Sequence, residues 1–327
     1  MCDLWTRCLE NPELPKSELK TAELKKLIDD FKELGTKIII LGGGEPLLRR
    51  DLVDLVRYTR KLDLNNVIDS NGTLITKKIA RDIINAGLDV MMVSIDGAQP
   101  ATHDYHRGVK GTFERTLNGI KNMLSLQSEA KVCFSTTITN KNFRELPEII
   151  EMANSLGVYG VKFQPVNMGS SFIFKSVESK ERQLLLDPKE ATLLNDIIDR
   201  VIEKTRNYGL HTDPLPYLKG IPLYFKDPQR KWGKCFVGYL SCHVRPEGYL
   251  DVCGSFPAIG NVKKTPLKQL WLSSRFRHFR RQIRMGICES CYLKCSAYPS
   301  LRTSLKFLAQ DVLRSRGFLR DIEFYLS

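Results

Sequence analysis

The chain has 327 residues, which is long enough for one large domain and a smaller one whose cores need no disulfides. With 42% apolar and 27% charged residues it has the composition of a globular protein. Its 50 Lys and Arg exceed its 37 Asp and Glu, and the resulting net charge of +13 suits either a basic solvated surface or an anionic partner. No stretch approaches the roughly 18 apolar residues of a membrane span and no signal peptide opens the sequence, so we expect a cytoplasmic location.

Nine cysteines are many for a protein in a reducing compartment, where disulfides are not the expected use of thiols. Six of the nine fall between positions 235 and 295, and clustered thiols at short spacings indicate a metal site. Cys133 and Cys242 lie in strand-like runs, and we interpret them as small buried hydrophobic residues.

Strand-like and helical patterns alternate over the first half of the chain. Thr21 is a candidate N-cap for a helix that Gly35 closes, and Ile38 begins a short apolar strand. Further strands are predicted over 66–70, 89–96, 131–139 and 160–166, and helices over 51–62, 76–86, 112–126 and 143–156. Strands that alternate with helices of about 10 to 15 residues predict an α/β fold with a parallel sheet.

The alternation stops near Asn167. Residues 188–208 are predicted to form one long helix, and residues 212–229 a proline-rich connection. The last stretch, 305–326, is basic and amphipathic, which fits a helix packed on its own protein or a contact with a membrane surface or partner. We therefore predict an α/β domain over 1–170, a helical and proline-rich connection over 171–230, a cysteine-rich domain over 231–300 and a basic tail over 301–327.

The strand that begins at Ile38 runs straight into three glycines, followed by Glu45 and Pro46. Glycines let bare backbone approach a small ligand, and Glu45 adds a carboxylate at the strand end, so the turn fits a site for a cationic amine or a tight turn alone. Polar residues also end the other strands, and in a parallel sheet those ends face the ligand. The six residues at such ends are Glu45, Ser70, Asn71, Ser94, Asp96 and Gln164.

In combination these motifs resemble those of the radical S-adenosylmethionine (SAM) enzymes, in particular the subfamily with a C-terminal SPASM-type iron–sulfur domain. The resemblance rests on GGEP at 43–46, SNGTL at 70–74, VSIDG at 93–97 and the stretch from 103 to 120. It covers residues 1–166 and 231–296. It implies a partial (β/α)6 TIM-like barrel, in which the strand at Ile38 is the second, and a small cysteine-rich iron–sulfur domain.

The resemblance also implies a SAM site. Its members would be the turn residues Gly43, Gly44, Glu45 and Pro46 for the amino group, Ser94 and an arginine for the carboxylate, Ser70, Asn71 and Asp96 beside the ribose, and Gln164 at the mouth. The arginine would be Arg115 or, less favoured, Arg107. Arg107 also fits the role of a surface charge beside the substrate entrance. The spacing of the motifs does not decide between Arg115 and Arg107.

The cysteine-rich module carries a motif of its own. Its five candidate metal ligands are Cys235, Cys253, Cys288, Cys291 and Cys295, of which the last three form a CxxCxxxC loop. A CxxC loop is short enough for both sulfurs to reach one metal centre. The module resembles a shortened SPASM pattern that holds one auxiliary [4Fe–4S] cluster, and a structural zinc site is the alternative. One cluster has four ligand positions and there are five candidate thiols, so one of them, Cys235 or Cys295, is left without an assigned role.

The family places its radical-generating [4Fe–4S] cluster on a CxxxCxxC loop, where three thiolates leave one iron open for SAM. Residues 1–5 (MCDLW) resemble the end of that loop, so Cys2 would be the third ligand. Cys8 is not at the offset of either missing cysteine. Three explanations stand: the first strand and two ligands precede Met1 in a longer protein, the chain is a cluster-less relative, or a partner chain supplies ligands.

The resemblance implies an oxidoreductase-type enzyme that reductively cleaves SAM to a 5′-deoxyadenosyl radical, with electrons from a reductant such as flavodoxin or ferredoxin. A peptide or protein is the expected substrate, because SPASM relatives mostly modify these. The alternatives are a small-molecule substrate, a nucleic acid, which would need a clustered basic face, and a non-enzymatic Fe–S or SAM-binding protein. The auxiliary cluster would take back an electron from the substrate radical or bind the substrate.

Overall fold

The structure is a computed structural model, and it describes residues 11, 13–167, 183–228, 235–253, 256–286 and 291–294. These residues fall into two compact units. The first contains residues 39–166 and 183–227; the second contains the described residues before Ile39, Asn167 and the described residues after Asp227.

One five-stranded sheet forms the centre of the first unit. Its strands are β1 Ile38–Leu41, β2 Asn65–Ser70, β3 Val90–Ser94, β4 Lys131–Ile138 and β5 Gly160–Pro165. They follow one another in chain order across the sheet, and the pairs from β2 to β5 are parallel. The predicted parallel sheet is confirmed.

Helices connect the strands and continue into the second unit. In chain order they are α1 Thr21–Glu33, α2 Leu52–Lys61, α3 Lys77–Asn85, α4 Pro100–Arg107, α5 Thr112–Leu124, α6 Leu146–Leu156, α7 Pro188–Tyr208, α8 Leu215–Lys226, α9 Leu267–Leu272 and α10 Ser274–Arg284. Short 3-10 helices cover Leu14–Ser17, Pro46–Leu48 and Phe143–Glu145. Within the described residues, no helix is long and apolar enough to cross a membrane.

Burial alternates along the central strands, because successive side chains of a strand point to opposite faces of the sheet. In β4, Phe134 and Ile138 are fully buried, whereas Ser135 and Thr137 are half-buried. Ser135 is in register with Ser94 of β3, and Thr137 with Gln164 of β5. One face of the sheet is therefore an apolar core, and the opposite face carries a polar row.

Most element boundaries agree with the predictions to within a few residues. The predicted N-cap Thr76 accepts a hydrogen bond from the Ile79 amide at 3.2 Å. The prediction of a proline-rich connection over 212–229 was wrong in part, since α8 occupies Leu215–Lys226 despite Pro222 inside it. Its apolar side chains, including Tyr217 and Ile221, are buried, and this burial offsets the helix-breaking effect of proline.

The second unit contains a small antiparallel sheet of β6 His243–Val244, β7 Tyr249–Asp251 and β8 Gly260–Asn261. The predicted hairpin at Gly248 is confirmed: this glycine has φ +90°, a conformation that other residues rarely adopt. Helix α1 belongs to this unit, because Leu27 lies in the same buried cluster as Leu250 and Phe276. The predicted tail helix over 305–326 lies outside the described residues.

Candidate cofactor-binding site

The backbone of the glycine turn after β1 is exposed. Gly42, Gly43 and Gly44 are exposed, and a Cβ built on Gly43 or Gly44 would meet no atom within 4 Å. Gly43 has φ +133°, which disfavours any residue with a side chain. The buried Pro46 then starts a 3-10 turn, and the Glu45 carboxylate caps this turn by accepting a hydrogen bond from the Leu47 amide at 3.1 Å.

The Glu45 carboxylate also joins the ends of β1 and β2. Its Oε1 accepts a hydrogen bond from the Ser70 hydroxyl at 2.8 Å, and its Oε2 accepts one from the Asn71 amide at 2.8 Å. With the Leu47 amide, three donors point at this group. A carboxylate has about four acceptor positions, so one is left for another donor such as an ammonium group.

The turn that follows β2 is held from several sides. Asn71 Oδ1 accepts hydrogen bonds from the Thr73 amide at 2.8 Å and hydroxyl at 2.6 Å, and the Thr116 hydroxyl of α5 donates to the Asn71 carbonyl at 2.9 Å. Gly119 brings α5 so close that a Cβ there would collide with the Gly72 carbonyl. Ser70 and Asn71 are thus fixed beside Glu45.

Asp96, two residues after β3, is 1% exposed. Its Oδ1 accepts a hydrogen bond from the Thr137 amide at 2.9 Å, and its Oδ2 forms an ion pair with Arg107 at 2.5 Å. Asp96 Oδ2 and Arg107 Nε nevertheless lack a hydrogen bond of good geometry among the described residues. Because unsatisfied buried polar atoms are costly, this pair has capacity for a further polar ligand.

The two candidate arginines have different surroundings. The Arg107 side chain, at the end of α4, is 24% exposed and paired with Asp96. Arg115 lies on α5, next to the Thr116 that contacts the Asn71 turn, and its side chain is exposed. Ser94 and Gln164 are half-buried members of the polar face of the sheet.

His103 supports Asp96 from α4. Its Nδ1 accepts a hydrogen bond from the Asp96 amide at 3.2 Å, so the neutral ring carries its proton on Nε2, which is buried without a hydrogen-bond partner among the described residues. Burial, reinforced by the charge of Arg107, lowers the pKa of His103 from 6.5 to about 4. The imidazole is therefore neutral near pH 7.

Sequence reasoning did not find His103 or Asn142 as parts of this site. The Asn142 amide nitrogen donates to the Asp96 carbonyl at 2.9 Å and to the Thr137 carbonyl at 2.8 Å, which joins the ends of β3 and β4. The only available signal was position: Asn142 lies in the loop after β4, four residues beyond its end at Ile138, whereas Asn71 follows β2 directly.

Three of the five candidate cluster thiols lie in the described part of the chain. Cys235 and Cys253 are half-buried and pack against the apolar core of the second unit. Cys291 Sγ accepts a hydrogen bond from the Leu293 amide at 3.3 Å, a contact that suits a thiolate. Cys2, Cys288 and Cys295 lie outside the described residues, and no three potential ligands meet in a metal-binding group among those described.

Of the two cysteines interpreted as buried hydrophobic residues, one is fully buried and the other half-buried. Cys133 is 1% exposed in β4, as predicted. Cys242 is half-buried against the core of the second unit, and burial raises the pKa of its thiol to about 12. A metal ligand must be a thiolate, and burial disfavours the thiolate form of Cys242. The surroundings of Cys242 therefore agree with a packing role.

The first unit fits SAM in its chemistry. An ammonium group matches the remaining acceptor position of Glu45, and hydroxyl or carboxylate groups match the unsatisfied atoms of Asp96 and Arg107. In the second unit, the Cys291 thiol with its amide donor and the half-buried Cys235 and Cys253 suit a sulfur-bound cluster.

Comparison with known proteins identifies the class to which these sites belong. A family model described as the Radical SAM superfamily matches residues 1–153, and one described as the SPASM iron–sulfur cluster-binding domain matches residues 235–292. The chain belongs to the radical SAM superfamily and carries a SPASM domain. Its relatives are enzymes, and the two domains imply SAM and [4Fe–4S] clusters as cofactors.

The particular proteins that it resembles differ in substrate. It is 32% identical over 293 residues to the AdoMet-dependent heme synthase of Methanosarcina barkeri, covering 84% of this chain and 81% of that protein. It is 25% identical over 305 residues to the PqqA peptide cyclase of Rhizobium meliloti, covering 90% of this chain and 77% of the relative.

A solved structure shows the same fold. Streptococcus suis SuiB bound to S-adenosylmethionine superposes with a TM-score of 0.61 at 14% identity, over 80% of this chain and 60% of that chain. The predicted fold class, an α/β partial TIM-like barrel with a small C-terminal iron–sulfur domain, is confirmed.

Proposed function

We propose that the protein is a radical SAM/SPASM enzyme that removes a hydrogen atom from a tetrapyrrole substrate. When bound, SAM and its [4Fe–4S] cluster supply the 5′-deoxyadenosyl radical that abstracts hydrogen. The protein's own residues bind and orient SAM and exclude water. The proposal for the reaction rests on the Glu45 carboxylate, which links two strand ends and keeps one acceptor position for a cation.

We assign the SAM contacts as follows. The amino group meets the turn of Gly43, Gly44, Glu45 and Pro46; Ser70, Asn71 and Asp96 border the ribose; Ser94 and an arginine hold the carboxylate; Gln164 lies at the mouth. Of the two arginines we favour Arg107, because it is half-buried and held by a buried acid, whereas Arg115 is exposed. An immobilised guanidinium loses less entropy on binding a carboxylate.

For the second unit we propose one auxiliary [4Fe–4S] cluster. Cys253 and Cys291 are ligands, with Cys288 and either Cys235 or Cys295 completing the set, while Cys2 is a ligand of the radical-generating cluster. A structural zinc site is the competing assignment, and metal analysis with a sulfide assay separates the two.

Thiol-bound clusters of this kind suit a reducing compartment, so we propose a cytoplasmic location and a flavodoxin or ferredoxin as reductant.

The proposal of a tetrapyrrole substrate is supported by the relative that is named a heme synthase, which shares 32% identity over most of both chains. A peptide substrate, which the sequence analysis expected, is the second candidate, because a peptide cyclase shares 25% identity. Titration with a porphyrin tetracarboxylate, followed by its main absorption band, tests the first candidate. Saturable binding that a peptide substrate does not displace would support the tetrapyrrole; binding of the peptide alone would support the second candidate.

The SAM site is tested by Glu45→Gln, which keeps the shape of the side chain and removes its charge. A charged hydrogen bond contributes about 1.5–3 kcal/mol, so SAM affinity in equilibrium dialysis should fall on the order of 10- to 100-fold. Glu151→Gln is the control, since Glu151 pairs with Lys204 on the surface. A folded Glu45→Gln protein that binds SAM as tightly as the control would refute the proposed site.

A further inference from the structure

The strongest feature outside the SAM site is a row of arginines on α10. Arg277, Arg281 and Arg284 are exposed and recur at intervals of four and three residues, so they share one side of the helix. With Tyr239 and Arg280 they line a shallow pocket of about 230 Å³. We call the three exposed side chains the arginine face. The segment from 274 to 284 contains no Asp or Glu.

Arg280 differs from its three neighbours because it is a structural residue. Its Nε donates to the Gly238 carbonyl at 2.7 Å and its Nη1 to the Trp271 carbonyl at 3.1 Å. Its guanidinium also lies 4.1 Å from the centre of the Phe276 ring. Arg280 thereby fixes α10 against the loop that follows Cys235, and the arginine face is held rigidly beside that loop.

The arginine face is not neutralised by the part of the chain that the structure describes. Several other arginines are paired with acids there: Arg49 with Asp51, Arg57 with Asp54, Arg144 with Glu190 and Arg245 with Asp251. No such ion pair is formed by Arg277, Arg281 or Arg284 among the described residues, although Arg277 donates one N–H to the Leu272 carbonyl. Three unneutralised guanidinium groups on one rigid helix form a positive surface that favours an anionic partner.

Apolar side chains border this positive surface. Leu240 and Met285 are each 68% exposed, and Leu272 is 56% exposed. Leu240 follows the pocket residue Tyr239, Met285 follows Arg284, and Leu272 receives the hydrogen bond from Arg277. Protein interfaces are enriched in arginine, aromatic residues and methionine, whereas a nucleic-acid backbone offers nothing to exposed leucines. The apolar border therefore favours a protein partner over RNA or DNA.

We propose that the arginine face, with its apolar border, is the docking surface for an acidic electron-carrier protein. This inference rests on the proposed function, because a radical SAM enzyme must receive electrons one at a time from a reduced carrier. In the step that docking serves, one electron leaves the carrier and enters an oxidised [4Fe–4S]2+ cluster to give [4Fe–4S]+. No bond is formed or broken. Small, charge-guided and short-lived interfaces are typical of such encounters.

The experiment uses the full chain loaded with iron and sulfide, and a flavodoxin as the acidic carrier. The test variant carries Arg277→Glu, Arg281→Glu and Arg284→Glu together. The control carries Arg81→Glu, Lys121→Glu and Arg200→Glu, which are exposed positions of the first unit and change the net charge equally. A third variant, with glutamine at the three test positions, detects effects of charge reversal on folding. Binding is measured at low and high salt, and 5′-deoxyadenosine release is driven by reduced flavodoxin or by dithionite.

We expect flavodoxin binding by the test variant to weaken roughly 10- to 100-fold at low salt, with a smaller loss for the glutamine variant. The control should bind like the wild type, and dithionite-driven SAM cleavage should be unchanged in all variants. Equal binding by test and control proteins would overturn the docking surface. So would a single-stranded RNA that binds more tightly than flavodoxin and competes for the same arginines. Failure of dithionite to cleave SAM in the wild type would instead count against the proposed function.

Discussion

The two units of the protein prepare their sites in different ways. In the first unit, two carboxylates join the strand ends: the half-buried Glu45 connects β1 to β2, and the buried Asp96 connects β3 to β4 and α4. In the second unit, Cys235 and Cys253 lie half-buried on an apolar core, where their thiols serve as packing groups. The first site is therefore organised by hydrogen bonds within the protein, whereas in the second unit it is the proposed cluster that would join the cysteines.

The largest expected effect tests the second unit. Cys253→Ser should remove one whole cluster, about four irons and four sulfides per chain, because losing one of four cysteine ligands leaves an iron without its thiolate. Cys242→Ser is the matched control, since Cys242 packs against the same core and the raised pKa of its thiol is about 12. Iron and sulfide are assayed after anaerobic reconstitution. Equal iron in the two variants would show that Cys253 is not a ligand.

In the first unit the corresponding change is Asp96→Asn, which leaves Arg107 half-buried without its counter-charge. Removing one partner of a buried ion pair costs about 3–5 kcal/mol, and we expect about 3 kcal/mol here because the Arg107 side chain is 24% exposed. Urea denaturation of the apoprotein measures the loss.

Two further variants make that test specific. Arg107→Gln added to Asp96→Asn should restore part of the stability, because no uncompensated charge then remains. Asp82→Asn, which breaks an exposed pair with Lys78, should change the unfolding free energy by less than about 0.5 kcal/mol. A loss of similar size in Asp96→Asn and Asp82→Asn would mean that the buried pair does not organise the strand ends.

The first unit could be predicted from sequence further than the second. Its strands have strong β-branched patterns and its turns contain glycine, so both the parallel sheet and the cluster of Glu45, Ser70 and Asn71 were foreseeable. The partners of Asp96 were not, because the Thr137 amide and the Asn142 side chain come from 41 and 46 residues away. Contacts of that range depend on the packed fold and leave no local pattern.

Long-range packing also explains what was missed elsewhere. Helix α8 was overlooked because its prolines indicate a loop, whereas buried side chains such as Tyr224 hold it in place. The hydrophobic pattern of α1 predicts which of its side chains are buried but not what they pack against. They pack against the core around Leu250 and Phe276. The arginines of α10 resemble ordinary surface charge in the sequence, and only the helix shows that three of them share one side.

Leu27→Ala tests whether α1 stabilises the second unit. Leu27 is 7% exposed within that core, so its truncation should cost about 2–3 kcal/mol, at the lower end for a buried leucine because the site is near the surface. Leu193→Ala, at a position that is 41% exposed on α7, is the control and should cost much less. Limited proteolysis should show earlier cleavage in the second unit of Leu27→Ala, and cleavage that begins in the first unit would contradict this assignment.

The smallest of these effects depends on pH and involves His103 in the first unit. The folded pKa of this imidazole is about 4, lowered chiefly by burial, whereas the unfolded value is 6.5. As the pH falls below 6.5 the unfolded chain takes up a proton that the folded protein excludes until about pH 4, so stability decreases over this window. Between pH 7.5 and pH 5 the free energy of unfolding should fall by about 2 kcal/mol.

The neighbouring carboxylate of Asp104 does not titrate in that window. The hydroxyl of Thr112 leads the contacts that lower the pKa of Asp104 to about 2, so this carboxylate stays ionised throughout. His103→Gln keeps an acceptor for the Asp96 amide and cannot titrate, so it should flatten the pH dependence in urea denaturation, whereas His278→Gln, at an exposed position, should leave it intact. If His103→Gln shows the wild-type slope, the acid sensitivity arises elsewhere and the neutral imidazole is not what supports Asp96.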